Sequence, residues 1–227
     1  PSGEALRLGR EVRAATRHLA RCLVTPFLAT PAQLVVTAPL VDLGALLVSQ
    51  SGRRFAAETN DALRLATAMR AAPGHVAYLV FDERIAAAAG AADPFFAHVV
   101  LPRAGRRGAT VDNLAKQLEL DADGLRATIE SPEGDPLPRA RPAKLEEPFH
   151  AIRVTGARWR TLGGLAVDAT GRVLGAENAP IPGLYATGSA AGGLAAPLAG
   201  VETLATLALA RLAALDVAAA VAAAEPE

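Results

Sequence analysis

Residues 163–193 read GGLAVDATGRVLGAENAPIPGLYATGSAAGG, and no other stretch of the chain is as informative about its function. It holds two short apolar runs, 165–167 and 183–186, that read as strands. The connection between them is punctuated by Gly, Asp, Asn and Pro, and a glycine pair stands at either end. By residue type alone the segment is a set of surface hairpins with turn glycines. Glycines at such corners also let a backbone come close to a flat ligand.

Around this segment the chain has 227 residues, 51% of them apolar, with 23 Lys+Arg against 23 Asp+Glu. A net charge of zero leaves no electrostatic footprint for nucleic acid or an anionic membrane, so neither is expected as a partner. The length suits one or two domains with a real core. The single cysteine, Cys22, has no internal disulfide partner and is expected to be a small buried hydrophobe. The longest apolar run, 217–224, is far short of about 20 residues, so no transmembrane helix is expected. No signal sequence opens the chain, and a cytoplasmic location is the expectation.

Upstream, Leu6, Val12 and Leu19 fall near helical spacing and predict one helix over 3–19. Pro26, Pro31 and Pro39 interrupt residues 25–40, whose Leu, Val and Thr predict strands or extended loops. Residues 43–49 and 76–81 read as buried strands, the first turning at Gln50-Ser51-Gly52. Leu63, Ala66, Ala68 and Met69 predict a helix within 58–71 that stops before Pro73-Gly74. Thr110 is a candidate N-cap, with Asn113 where a full capping box has Glu or Gln, and Asp121-Ala122-Asp123 opens a further helix to Ile129. Prolines among charges mark 131–148 as a long surface loop, and 149–154 predict a strand leading back toward the glycine-rich segment.

Four ordered motifs carry a family resemblance: Thr161-Leu162-Gly163-Gly164-Leu165, the 168–174 turn ending Arg172-Val173-Leu174, residues 181–188 (IPGLYATG), and a helix from about Val201. Together they resemble the closing segment of the flavoproteins that include fumarate reductases, succinate dehydrogenase flavoprotein subunits, tricarballylate dehydrogenase-like enzymes and 3-ketosteroid dehydrogenases. Residues 49–58 (SQSGRRFAAE) resemble that family's Gly-x-Arg-Phe-x-x-Glu element, 77–82 its next strand, and 110–130 a pair of its helices. The resemblance implies FAD as cofactor, a small-molecule substrate, and hydride transfer between flavin N5 and a carbon beside an activating carbonyl or carboxylate. It implies an α+β fold with residues 24–158 as a capping domain, and 1–23 and 159–227 as segments of a Rossmann-like FAD-binding domain. In that family a strand, a G-x-G-x-x-G turn and a helix hold the FAD pyrophosphate, and no such motif occurs in residues 1–227. The chain, which starts at Pro1, is therefore read as the C-terminal half of a longer flavoenzyme. It lacks the N-terminal βαβ, and its expected partner is that missing N-terminal FAD-binding half.

Carried over position by position, the cofactor contacts fall on Thr161, Gly163 and Gly164, and on Gly188, Ser189, Gly192 and Gly193. They continue on Gly200, Val201, Thr203 and Leu204, where the last helix begins; Ser189 stands where many relatives have Glu. The partial positive charge of that helix start would favour a reduced, anionic flavin, whereas Glu202 in the same turn would repel it unless directed away. Leucines at 204, 207, 209, 212 and 215 predict a core-facing stripe.

The cations that grip a dicarboxylate in fumarate reductases fall here on Thr25, Ala62, Trp159 or Arg160, and Ala196 or Pro197, so most are gone. That loss favours the tricarballylate-like or ketosteroid-like branches. Arg160, beside Thr161, and His150, in the returning strand, remain as catalytic candidates. His18, His75 and His98 read as surface or structural, and no His or Cys spacing marks a metal site. Arg53 and Arg54 read as a solvated turn with a salt bridge to Glu58. A second reading is a degenerate, noncatalytic module acting as a subunit or binding partner; against it stand the glycines kept together at 163, 164, 188, 192, 193 and 200.

Overall fold

Helix α1 spans Glu4–Glu11 in a computed structural model that describes residues 3–37, 39–130, 137–138, 144–193 and 201–224. The helix predicted over 3–19 stops at Glu11 because Arg13 and His18 take left-handed φ of 54° and 56°, and the chain turns into β1 (Thr16–Arg17). There follow β2 (Cys22–Ala29), β3 (Leu34–Val35), α2 (Leu40–Leu43), β4 (Leu46–Val48), α3 (Ala62–Ala71) and β5 (Ala77–Asp82). Next come α4 (Glu83–Ala92), a π turn (Phe96–Val100), α5 (Leu101–Ala104), β6 (Gly105–Gly108), α6 (Val111–Leu118) and α7 (Ala122–Glu130). The last elements are β7 (Phe149–Thr161), β8 (Gly164–Leu165), β9 (Arg172–Leu174), β10 (Pro180–Tyr185) and α8 (Val201–Ala224). The chain divides into two compact units, one of Pro1–Leu23 with Arg158–Glu227 and one of Val24–Ala157.

The Val24–Ala157 unit is built on a sheet of order β3-β2-β7-β5-β4, with β6 also paired to β7. Strand β5 is buried at every position and runs antiparallel to β4 and to β7, with Leu79 opposite both Leu47 and Ile152. Burial on both faces is why β5 reads as an unbroken apolar run. Leu47, Leu79, Phe81, Ile85 and Phe96 have no exposed surface and centre the core. Two helix starts follow the sequence directly. Asp61 accepts from Arg64 N at 2.9 Å to cap α3, and Thr110 accepts from Asn113 N at 3.2 Å to cap α6.

Residues 83–104 carry no amphipathic stripe that would place them, because α4 is mostly alanine. Its start is fixed by Asp82, which accepts from Ile85 N at 2.8 Å, and Asp93 then accepts from Phe95 N and Phe96 N to begin the π turn. Gly52, in the turn after β4, sits at φ +68°, and a Cβ there would lie 2.2 Å from the Leu125 amide, so only glycine lets the turn meet α7. Cys22 is half-buried, not the fully buried hydrophobe expected. Of the loop read over 131–148, residues 131–136 and 139–143 lie outside the described residues.

In the other unit, β1 pairs antiparallel with β8 and β9 with β10. The two strands read over 165–167 and 183–186 are shifted toward the N-terminus, to β8 and β10, and Val167 makes a single bridge to Val173. The turn between them is organised by Asp168, whose Oδ1 accepts from Thr170 N, Thr170 Oγ1 and Arg172 N at 2.9–3.0 Å. Burial opposes ionisation of Asp168, but these donors hold it below the usual carboxylate value. Leu165, Val167, Val173, Ala186, Ala191 and Leu209 form the core of this unit.

Helix α8 departs from the sequence reading. Of the five leucines expected on one stripe, only Leu209 is buried, while Leu204, Leu207, Leu212 and Leu215 are 43–68% exposed. The helix is apolar all round, so leucine positions alone do not mark the packed face; Leu209, Ala213 and Asp216 do. The apolar run 217–224 also understated it, since Val201–Ala223 is long and apolar enough to cross a membrane by length and composition.

Candidate functional site

Three backbone segments meet in the Pro1–Leu23/Arg158–Glu227 unit with no side chain between them. A Cβ on Gly163 would lie 2.6 Å from Leu19 Cα, one on Gly164 would lie 2.4 Å from Ala190 O, and one on Gly192 would lie 2.7 Å from Gly164 N. Hydrogen bonds from Gly192 N to Leu165 O (2.8 Å) and from Gly193 N to Leu162 O (3.1 Å) tie the segments together. Gly188 and Gly193 have positive φ, and Ser189 is exposed on the short turn between Gly188 and Ala190. The result is a layer of bare backbone edged by the exposed Gly193 and Ser189. The His18 ring packs on Gly193, 3.1 Å from where a Cβ would stand, so a flat cofactor such as FAD would meet backbone edge and this imidazole together. The same contacts give Gly163, Gly164 and Gly192 a reason to be glycine that lies wholly inside the unit. Their retention therefore does not argue against a noncatalytic module, as the sequence alone suggested.

Thr161, the last residue of β7, is exposed, and just before it Arg160 forms an ion pair with Glu202 in the first turn of α8. The Arg160 guanidinium also stands 5.8 Å from the ring centroid of Trp159, and both side chains are about half exposed. The pair answers the question raised by Glu202, whose charge is compensated by a cation 42 residues earlier in the sequence. In the same turn Val201, Thr203 and Leu204 are exposed. Gly200, with residues 194–199, lies outside the described residues.

His150, on β7, belongs to the Val24–Ala157 unit. Its ring is buried, stacked 5.6 Å from Phe81 at 12°, with Nε2 at 3.0 Å from Glu83 Oε2. Arg107 approaches the same carboxylate, and the hydrogen bond with His150, ahead of Arg107, draws Glu83 below the usual value. The arrangement packs β5, β7 and the start of α4 together. His18 sits in a turn, His75 bonds to Arg70 O and His98 lies in the π turn, and no cluster among the described residues could hold a metal.

Arg54 and Glu58 are buried, with side chains only 1% and 2% exposed, which replaces the solvated turn expected for Arg54. Arg54 Nε donates to Glu58 Oε1 at 2.7 Å, Nη2 donates to Oε2, and Leu47 N donates to Oε1 at 2.9 Å. Arg54 further donates to the carbonyls of Leu137 and Pro138. Glu58 in turn lines an open cavity of about 440 Å³ formed within this unit by β2, the β3–α2 connection, α2, the segment before α3, and β5. Phe27, Leu40, Leu65 and Leu79 contribute apolar wall, and Thr37, Asn60 and Asp42 polar wall. Pro26 and Ala62, adjoining or occupying two positions where the resemblance places cations, line it as well. Apart from Glu58, at the end of the 49–58 element, nothing else in the sequence marked these residues, because they come from four separate stretches of chain.

Residues 2–203 match the FAD binding domain family. Over 203 residues the chain is 30% identical to the NADH:fumarate oxidoreductase of Klebsiella pneumoniae (strain 342), a match covering 85% of this chain and 22% of that protein. It is 29% identical over 203 residues to the fumarate reductase (cytochrome) of Shewanella frigidimarina, covering 85% of this chain and 34% of that protein. The open conformation of a flavocytochrome c3 fumarate reductase shares its fold with a TM-score of 0.78 at 24% identity, over 93% of this chain and 39% of that one. The chain thus spans about a fifth to a third of the length of these curated relatives. With the family pattern matched from residue 2 to residue 203, the chain belongs to the FAD binding domain family of oxidoreductases.

Proposed function

We propose that this chain is the C-terminal part of an FAD-dependent oxidoreductase acting on a small molecule, with Val24–Ala157 as its substrate-side capping domain and the other unit contributing to the flavin site. Bound FAD supplies the hydride acceptor or donor, through N5, for a carbon beside an activating carbonyl or carboxylate. The observation that supports this reading is the close-packed glycine backbone at Gly163, Gly164 and Gly192, continued by the exposed Gly193, against which the His18 ring packs. In this reading Thr161, Gly188 and Ser189 edge the cofactor, and the amides of Val201, Thr203 and Leu204 present the positive end of α8 to it. Arg160 acts as a positioning residue that offsets the Glu202 carboxylate. His150 stays stacked on Phe81 and bonded to Glu83, holding β7 in place. The donors for the pyrophosphate come from the N-terminal half that these 227 residues do not include.

The noncatalytic reading keeps support from one observation, the internal packing need for three of the glycines. Two measurements separate the readings. The complete polypeptide containing this chain should purify with one FAD per chain, and its dithionite-reduced flavin should be reoxidised by an α,β-unsaturated carbonyl acceptor. Absence of flavin, or a reduced flavin indifferent to every such acceptor, overturns the oxidoreductase reading. The 227-residue chain by itself should be colourless, and stoichiometric FAD on it would show that the N-terminal half is dispensable.

A further inference from the structure

The cavity of the Val24–Ala157 unit has a wall without positive charge. Among the described residues that line it there is no Lys, Arg or His, although two carboxylates, Asp42 and Glu58, are present. The charge of Glu58 is already compensated by Arg54, which holds both carboxylate oxygens from a buried position. Asp42, exposed in α2, has no such partner among the described residues. What remains is apolar surface from Phe27, Val36, Leu40, Leu65 and Leu79, together with neutral hydrogen-bonding groups. Thr37 Oγ1 donates its proton to Asp93 at 2.7 Å, a bond that holds Asp93 below its usual value and leaves the Thr37 oxygen facing other groups as an acceptor. The side chains of Thr59 and Asn60, also on the wall, make no hydrogen bond to another described residue.

A dicarboxylate entering this space would shed water from two charges and find no cation to replace it, with Asp42 adding repulsion. An uncharged molecule loses only apolar hydration, and a carbonyl or hydroxyl on it can use Asn60, Thr59 or Thr37. The volume of about 440 Å³ falls in the usual range for small-molecule sites. We propose that this cavity binds a chiefly apolar molecule bearing a carbonyl or hydroxyl and no negative charge, and that it rejects dicarboxylates. As a statement about substrate class it rests on the oxidoreductase reading above; as a statement about binding it stands on the lining alone.

The test uses the 227-residue chain without flavin and two probes, 2-decalone and succinate. Titration calorimetry should give saturable binding of 2-decalone and none of succinate at equal concentration. Ala62 is exposed at the first position of α3, so its replacement disturbs no core. Ala62→Phe, which narrows the cavity, should weaken 2-decalone at least tenfold, and Ala62→Arg should create measurable succinate binding. Circular dichroism melting of both variants guards against misfolding. Succinate binding as tightly as the ketone, no saturable ketone binding, or ketone binding indifferent to Ala62→Phe would each overturn the proposal. None of these readouts involves flavin. Failure here therefore leaves the reoxidation assay to judge the oxidoreductase reading, and a flavin-free complete polypeptide would overturn that reading while leaving the binding preference intact.

Discussion

Arg172 and Asp216 clasp one another through two parallel hydrogen bonds, Nε to Oδ2 at 2.7 Å and Nη2 to Oδ1, across 44 residues of sequence. Tyr185 Oη donates to the same carboxylate at 2.6 Å. One acid on α8 is thereby fastened to β9 and β10 together, at the helix turn that follows the buried Leu209 and Ala213. The Arg172 bond first, and the Tyr185 bond next, hold Asp216 at about 2, below its ordinary 3.8.

Acid should open this clasp. A carboxylate depressed in the folded state stabilises fully above its unfolded value and loses that contribution as pH falls through the folded one. The advantage of the wild-type chain over Asp216→Asn should therefore be constant above about pH 4 and vanish between 3.8 and about 2. Urea denaturation of both chains across that range checks it, and an advantage unchanged at about pH 2 would show that the clasp contributes nothing through its charge.

Breaking the buried Arg54–Glu58 pair from one side should cost more than removing it whole. Glu58→Leu leaves a buried guanidinium without its carboxylate, a loss of roughly 3–5 kcal/mol. The double variant Arg54→Met/Glu58→Leu should recover part of that loss. A double-variant cycle by chemical denaturation reads the coupling, and additive losses would mean that the two charges do not depend on one another.

Two glycines should fail for different reasons. Gly164→Ala places a methyl 2.4 Å from Ala190 O and should cost about 1–3 kcal/mol by overpacking, whatever residue is chosen. Gly183 has open space around it but φ of +73°, so Gly183→Ala should cost about 1–2 kcal/mol from backbone conformation alone. Gly183→Asn should then be milder than Gly183→Ala, and equal costs for the two would refute the conformational account.

The exposed face of α8 should be dispensable for folding of this chain but adhesive. Leu204→Gln/Leu207→Gln should change stability by less than about 0.5 kcal/mol each while lowering binding of the dye ANS. Leu209→Ala, on the packed face, should cost roughly 2–5 kcal/mol. A large loss of stability from the Leu204/Leu207 pair would mean that this face is covered within the chain.

What could be read without coordinates was local. The Thr110 cap and the buried run of β5 each depend on residues within one turn or one strand, so their physics is complete in a short window. The first helix was overextended because its apolar spacing carries no sign that Arg13 and His18 turn left-handed. The α8 stripe was misread because a helix apolar on all sides has no preferred face until something packs on it.

From the sequence came the buried strands within 43–49 and 76–81, the Thr110 cap, the glycine-rich segment and, through its ordered motifs, the flavoprotein family to which the chain belongs. Folding in three dimensions decided that Arg160 meets Glu202, that Asp216 is clasped by Arg172, that Arg54 is buried, and that four separate stretches line one cavity with no cation among the described residues. Such contacts join residues far apart in the chain, and their formation depends on the entropy of closing the loops between them and on which apolar faces are covered. Neither quantity is written in the spacing of neighbouring residues.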